Sequence, residues 1–201
     1  MIQLAWLIPV FPLVGFLITS LGGKKLPKSI SGTLASTMVL ASFIVSLITF
    51  IQFNGQPVTI DLFDWISSGS LSIPFSFMID QLSLIMLLII TGVGFLIHVY
   101  SIGYMHGDEG FSRFFSYLNL FIFFMLLLVM GSNYIVMFTG WEGVGLCSYL
   151  LIGFWFKNPE YNKAANKAFI MNRIGDLGFL LGIILIYITF GTTSFNVIFP
   201  S

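Results

Sequence analysis

Six stretches of about 20 apolar residues dominate this chain, each the length a helix rising 1.5 Å per residue needs to cross a bilayer core of about 30 Å. They fall at roughly 2–22, 30–53, 78–104, 112–130, 133–156 and 165–190. The composition leaves no soluble alternative. The sequence is 57% hydrophobic and 8% charged, where an ordinary soluble domain is about 25% charged. A soluble fold of this size keeps roughly 30% of its exposable surface in water, and the charge to cover that surface is missing. The fold class is therefore an all-α polytopic membrane protein of about six transmembrane helices, with the lipid bilayer as its solvent. Net charge is zero, so nothing marks the chain for nucleic acid. The single cysteine, Cys147, excludes an internal disulfide and a cysteine-based metal cluster. It reads as a small packing residue.

The first span does not read as a cleavable signal, whose positive charges precede the apolar run. Met1 to Leu21 carries none, and Lys24, Lys25 and Lys28 follow it. Between the second and third spans lies one long segment, Asn54 to Phe77, broken by Gly55, Pro57, Gly69 and Pro74. Its β-type runs, Val58-Thr59-Ile60 and Ser70-Leu71-Ser72-Ile73, predict a hairpin lying on the membrane surface. Gly131-Ser132-Asn133 alone joins spans four and five, which makes a tight helical hairpin. Lys24, Lys25, Lys28, Arg113, Lys157, Lys163, Lys167 and Arg173 all fall on one side of a six-span arrangement. The opposite loops carry Asp61 and Asp64 and no Lys or Arg. By the positive-inside rule the basic side is the bacterial cytoplasm or the mitochondrial matrix, with the N-terminus outside.

The chemistry is concentrated in a few membrane-embedded polar residues. Glu142 lies near the middle of span five, within Gly140-Trp141-Glu142-Gly143-Val144-Gly145. A charge at the centre of a membrane helix costs about 2.5–3.5 kcal/mol on insertion scales. An amide or hydroxyl would join helices at lower cost, so a carboxyl at that depth points to proton handling. The surrounding glycines permit close approach of another helix or of water. Asp176 lies near the centre of span six. Asn166, Asn172, Arg173 and Asp176 fall on one helical arc and form a polar stripe that opens on the basic side. Arg173 and Asp176 are i,i+3 neighbours able to pair. The stripe reads either as a self-neutralising pair or as a hydrated route toward Glu142. Gly178 and Gly182 make a small-xxx-small step that predicts close packing on another helix. His98, about two turns from the basic end of span three, is either a proton relay or a satisfied buried histidine. Asp80 suits the start of the third helix. His106, Asp108, Glu109 and Arg113 read as a solvated loop without metal-site spacing. No phosphate-binding glycine loop, Ser/His/Asp set or iron–sulfur cysteine set is present in the sequence. From residues alone, proton or cation translocation leads, with a structural membrane scaffold as the alternative.

The block Gly140-Trp141-Glu142-Gly143-Val144-Gly145-Leu146-Cys147-Ser148-Tyr149-Leu150-Leu151-Ile152-Gly153-Phe154 resembles subunit L of proton-pumping NADH–quinone oxidoreductase, respiratory complex I (chain 5 in mitochondria). Gly92 to Tyr100 with Tyr104-Met105, Arg113-Phe114-Phe115 and Asn172-Arg173-Ile174-Gly175-Asp176 resemble further motifs of that family. The resemblance implies an antiporter-like subunit at the distal end of the membrane arm. There it would take part in proton translocation driven by electron transfer from NADH to quinone. It implies that Glu142 is the family's key glutamate and that Arg173 and Asp176 are its basic and acidic companions. It implies two regions: 1–110, with helices 1–3 and the outer loop, and 111–201, the start of the antiporter-like domain. Flavin, iron–sulfur clusters and quinone are expected in partner subunits, with no cofactor in this chain. Expected partners are other membrane-arm subunits, especially the neighbouring antiporter-like one. The resemblance implies family members about three times longer, in which the glutamate works beside a lysine on a broken seventh helix that this sequence lacks. The chain therefore reads as an N-terminal part of such a subunit: a fragment, a truncated gene product or one piece of a split subunit. The large subunit of multi-subunit cation/proton antiporters is the alternative. It shares the Trp-Glu pair but differs from the Gly-Val-Gly-Leu-Cys-Ser-Tyr that follows here.

Overall fold

The computed structural model describes residues 2–68 and 71–199. Its long helices are α1 (Leu7–Gly22), α2 (Lys28–Gln52), α3 (Gln81–Tyr104), α4 (Phe111–Met130), α5 (Tyr134–Ile152) and α6 (Pro159–Phe190), followed by a short α7 (Phe195–Ile198). Strands β1 (Val58–Ser68) and β2 (Leu71–Ile79) pair antiparallel between α2 and α3. Five helices, α2 to α6, are long and apolar enough to cross a membrane.

The first expected span is corrected in its extent. Ile2–Leu4 is a 3-10 turn and α1 starts at Leu7, so its 16 residues rise only ~24 Å. Pro12 lies inside it. Proline has no backbone N–H, so the Ile8 carbonyl one turn earlier loses its helical donor. Ser42 on α2 supplies one instead, its Oγ donating to Ile8 O at 2.6 Å. An unsatisfied carbonyl in lipid would be costly. The proline and the serine thus fix α1 against α2.

The hairpin forms as expected but extends further. Val58 pairs with Ile79, which draws Met78 and Ile79 out of the third span. Asp80 then caps α3: Ser83 N donates to Asp80 Oδ1 at 2.7 Å, and Asp80 N donates to Ser83 Oγ at 2.8 Å. This reciprocal pair satisfies two otherwise orphaned donors. One face of β2 is buried at Ile73, Phe77 and Ile79, while Phe63 and Trp65 on β1 are exposed. Phe77 and Ile79 join the core of Ala5, Ile8, Leu84, Leu87, Leu126 and Met130. Two polar contacts fasten the hairpin to the α4–α5 turn. Asn133 Nδ2 donates to Pro74 O at 2.9 Å, and the Ser76 and Ser132 hydroxyls bond to each other. Asn133 also caps α5, accepting from Ile135 N and Val136 N.

Helix α4 is central and packs against α1, α2, α3 and α5, while α6 packs chiefly on α5. The α4–α5 contact is close because of glycine. A Cβ at Gly140 would overlap the Leu128 backbone, and one at Gly143 would overlap the Phe124 ring. Helix α6 begins before the expected span. Asn158 caps it by accepting from Glu160 N at 3.0 Å, and Pro159 stands in its first turn. Its 32 residues reach ~48 Å, so the turn holding the exposed Glu160–Lys163 pair extends beyond the apolar core. Gly178 and Gly182 were expected to pack closely on another helix. Among the described residues neither has a neighbour within 4 Å of where a Cβ would sit.

Candidate functional site

Three of the charged residues predicted to matter meet between α5 and α6. Glu142 lies at the middle of α5, and Arg173 and Asp176 lie one turn apart near the middle of α6. The Arg173 guanidinium is paired with the Glu142 carboxylate, and the same Nη1 lies 3.8 Å from Asp176 Oδ2. One cation therefore serves two carboxylates. Asp176 has a further partner, the Trp141 indole, whose Nε1 donates to Oδ1 at 2.8 Å. Trp141 also packs edge-on against Phe179, and Arg173 lies over the Phe169 ring at 4.7 Å. Two aromatic rings of α6 thus bracket the cluster.

Burial is graded across it. The Asp176 side chain is 8% exposed, Glu142 24% and Arg173 41%. A charge exposed on a spanning helix must face protein or a water-filled space, because lipid cannot solvate it. Beside the cluster is a cleft of ≈ 370 Å³ lined by Leu128, Trp141, Gly145, Ser148, Asn172 and Asp176, among others. Asn172 and Asp176 of the predicted polar stripe therefore border one hollow. Asn166 is exposed and is not among its lining residues. The glycines divide by role. Gly140 and Gly143 admit α4, while Gly145 lies by Asn172, with 3.7 Å between its Cβ position and Asn172 Nδ2.

His98 lies elsewhere, buried between α3 and α4. Its Nδ1 faces Gly94 O at 2.7 Å, and Asn119 Nδ2 faces its Nε2 at 3.2 Å. A carbonyl accepts and an amide NH₂ donates, so Nδ1 carries the proton and Nε2 accepts. The ring is a neutral tautomer with both nitrogens satisfied. Asn119 also donates to Phe115 O at 3.1 Å, which fixes the direction of its amide. The loop between α3 and α4 is better held than its polarity suggested. Asp108 accepts from Trp155 Nε1 at 2.8 Å and from Gly110 N at 2.6 Å. These two bonds hold the Asp108 carboxyl below its ordinary value of 3.8. Arg113 stacks over both Phe154 and Phe156.

Sequence reasoning passed over Trp141 as a donor and Asn119 as the partner of His98. Asn119 did leave a signal, an amide inside an apolar run, where such a residue joins helices by hydrogen bonds. Nothing in the spacing alone pairs Trp141 with Asp176, because they meet only once α5 and α6 are packed.

The chain is a bundle of apolar helices with a carboxylate–guanidinium–carboxylate cluster shared by two of them, and its similarity to known proteins makes its fold that of an antiporter-like membrane subunit. Residues 65–115 match the family described as NADH-ubiquinone oxidoreductase (complex I), chain 5 N-terminus. Residues 131–201 match the family described as NADH:quinone oxidoreductase/Mrp antiporter, transmembrane. NADH-quinone oxidoreductase subunit L of Mycobacterium tuberculosis is 45% identical over 199 residues, covering 96% of this chain and 31% of the relative. Subunit L of Campylobacter jejuni is 46% identical over 188 residues, covering 94% and 30%. NADH-ubiquinone oxidoreductase chain 5 of Allomyces macrogynus is 44% identical over 191 residues, covering 93% and 30%. A chain from the structure of the membrane-bound sulfane sulfur reductase, an archaeal respiratory membrane complex, superposes with a TM-score of 0.82 at 22% identity. That match covers 96% of this chain and 38% of the other, and it bears on the fold. The chain belongs to the subunit L/chain 5 family of NADH–quinone oxidoreductase and is a multi-pass membrane protein. It spans 31% of the length of the first of these relatives.

Proposed function

We propose that this chain forms the first part of a proton-translocating, antiporter-like subunit in the membrane arm of an NADH–quinone oxidoreductase. In this reading Glu142 takes up and releases protons. The observation that carries it is the sharing of Arg173 between Glu142 and Asp176 within the membrane. A nearby cation stabilises a carboxylate, while a low-dielectric setting favours the protonated acid. In this reading the proton is exchanged at Glu142 as the guanidinium it shares with Asp176 moves between the two carboxylates. Asp176 is held ready by the Trp141 N–H, and in this reading the cleft bordered by Asn172 and Asp176 is the route by which water reaches the cluster.

The redox centres, flavin, iron–sulfur clusters and quinone, belong in this reading to partner subunits. In this reading other membrane helices cover the open face of α6, where among the described residues nothing lies within 4 Å of the Cβ positions of Gly175, Gly178 and Gly182. The neighbouring antiporter-like subunit and the rest of the membrane arm are the expected partners. The distribution of Lys and Arg supports an N-terminus on the outer side. The test is NADH-driven pumping by the assembled complex with and without the subunit that contains this chain. Pumping that requires it, with no sodium movement in the absence of NADH and quinone, supports the proposal. Sodium–proton exchange without either substrate favours the cation/proton antiporter instead.

A further inference from the structure

At the basic end of α1, α2 and α4 lies a second cavity, remote in sequence from the Glu142 cluster, of ≈ 480 Å³. Lys28 at the start of α2 and Arg113 in the first turn of α4 contribute its two cations, and Glu109 contributes one carboxylate. Thr19, Ser112 and Ser116 also line it, and its walls include Leu26, Phe111 and Tyr117. We propose that this cavity binds the headgroup of an anionic phospholipid, with the phosphate between Lys28 and Arg113.

Both cations keep donors to spare. Lys28 Nζ gives one bond, to His106 O at 3.0 Å, and an ammonium has three N–H groups. Arg113 gives one, to Phe154 O at 3.4 Å, out of five. The Phe154 and Phe156 rings under the guanidinium hold it in place without consuming those donors. The Thr19 and Ser116 hydroxyls bond to each other at 2.9 Å and are buried, so they close the floor of the cavity and leave Lys28 and Arg113 as its free donors. The apolar surroundings favour a lipid over a free anion. Leu26, Phe111 and Tyr117 in its walls offer apolar surface to the part of a lipid next to its headgroup. Basic pockets between spanning helices are recognised sites for anionic headgroups, and each Lys or Arg near the surface contributes roughly five-fold in binding.

The experiment is lipid titration of the purified full chain in micelles, followed by native mass spectrometry, using phosphatidylglycerol and phosphatidylcholine. The expected result is preferential retention of phosphatidylglycerol, weakened roughly five-fold by Lys28→Gln or Arg113→Gln. Glu109→Gln should strengthen it, because it removes the opposing charge. Lys28→Arg should keep it, and inorganic phosphate should not displace it. Equal retention of both lipids, or retention unchanged in the charge variants, would overturn the proposal. So would displacement by inorganic phosphate, which would identify a free-anion site. Should Arg113→Gln fail to fold, Lys28→Gln and Glu109→Gln must still move in opposite directions.

Discussion

Replacing Trp141 by Phe tests the geometry of the α5–α6 cluster at one hydrogen bond. The phenyl ring retains an aromatic face against Phe179, but the Nε1 donor to Asp176 Oδ1, at 2.8 Å, is lost. A hydrogen bond to a charged group is worth about 1.5–3 kcal/mol in water-soluble proteins. Interhelical hydrogen bonds measured in a membrane average about 0.6 kcal/mol and reach about 1.7. The acceptor here is a carboxylate only 8% exposed, whose remaining cation stands 3.8 Å away. That places the loss at the upper end of the membrane range, ~1.5 kcal/mol. Equilibrium unfolding in mixed micelles measures it, with Asp176→Asn as the second arm of a double-mutant cycle. Trp141→Phe should cost ~1.5 kcal/mol alone and well under half of that in the Asp176→Asn background, because the charged acceptor is then gone. An equal cost in both backgrounds would mean that the indole acts only by packing, and the bond to Asp176 would have to be abandoned.

Other consequences follow from particular contacts. Gly143→Ala drives a methyl into the Phe124 ring, so it should destabilise by about 1–3 kcal/mol, as overpacking does. Gly178→Ala meets nothing among the described residues and should be neutral or stabilising by up to about 1 kcal/mol in the isolated chain; thermal denaturation in detergent compares the two. Asn119→Leu leaves His98 Nε2 without its donor in a buried site, a loss of about 1–3 kcal/mol. Nitrogen NMR of the parent protein should show the neutral ring with the proton on Nδ1; a proton on Nε2 would contradict the assigned bond. Asp108 titrates below its ordinary 3.8 in the folded chain, chiefly through the Trp155 N–H. Its contribution to stability is therefore present above that value and is lost as pH falls through the lower folded one. Melting curves across that range should show less acid sensitivity for Trp155→Phe than for the parent.

The spanning helices were legible because hydropathy reports lipid exposure, and the same fact explains the errors at their ends. Residues 159–164 are polar, so they read as loop, although Asn158 and Pro159 are a good helix start. Met78 and Ile79 are apolar, so they read as helix, although strand pairing with Thr59 and Val58 claims them. Pro12 and the early 3-10 turn shortened α1 for reasons that a hydropathy average cannot register. At the site, the cost of burying charge singled out Glu142, and helical spacing linked Arg173 to Asp176. The pairing of Glu142 with Arg173 depends on how α5 faces α6, which no single-helix periodicity contains. The same holds for Trp141 with Asp176 and for Asn119 with His98. The glycines show the limit most clearly. Gly140, Gly143, Gly178 and Gly182 look alike in sequence, yet among the described residues only the first two meet another helix.

The most direct measurement is proton pumping in vesicles by the complete complex carrying Glu142→Gln. If Glu142 is the proton-handling group, pumping falls while the complex still assembles, because glutamine fills the same space but cannot release a proton. Undiminished pumping by a fully assembled complex would contradict it, and would leave the Glu142–Arg173 pair as a contact that only joins two helices.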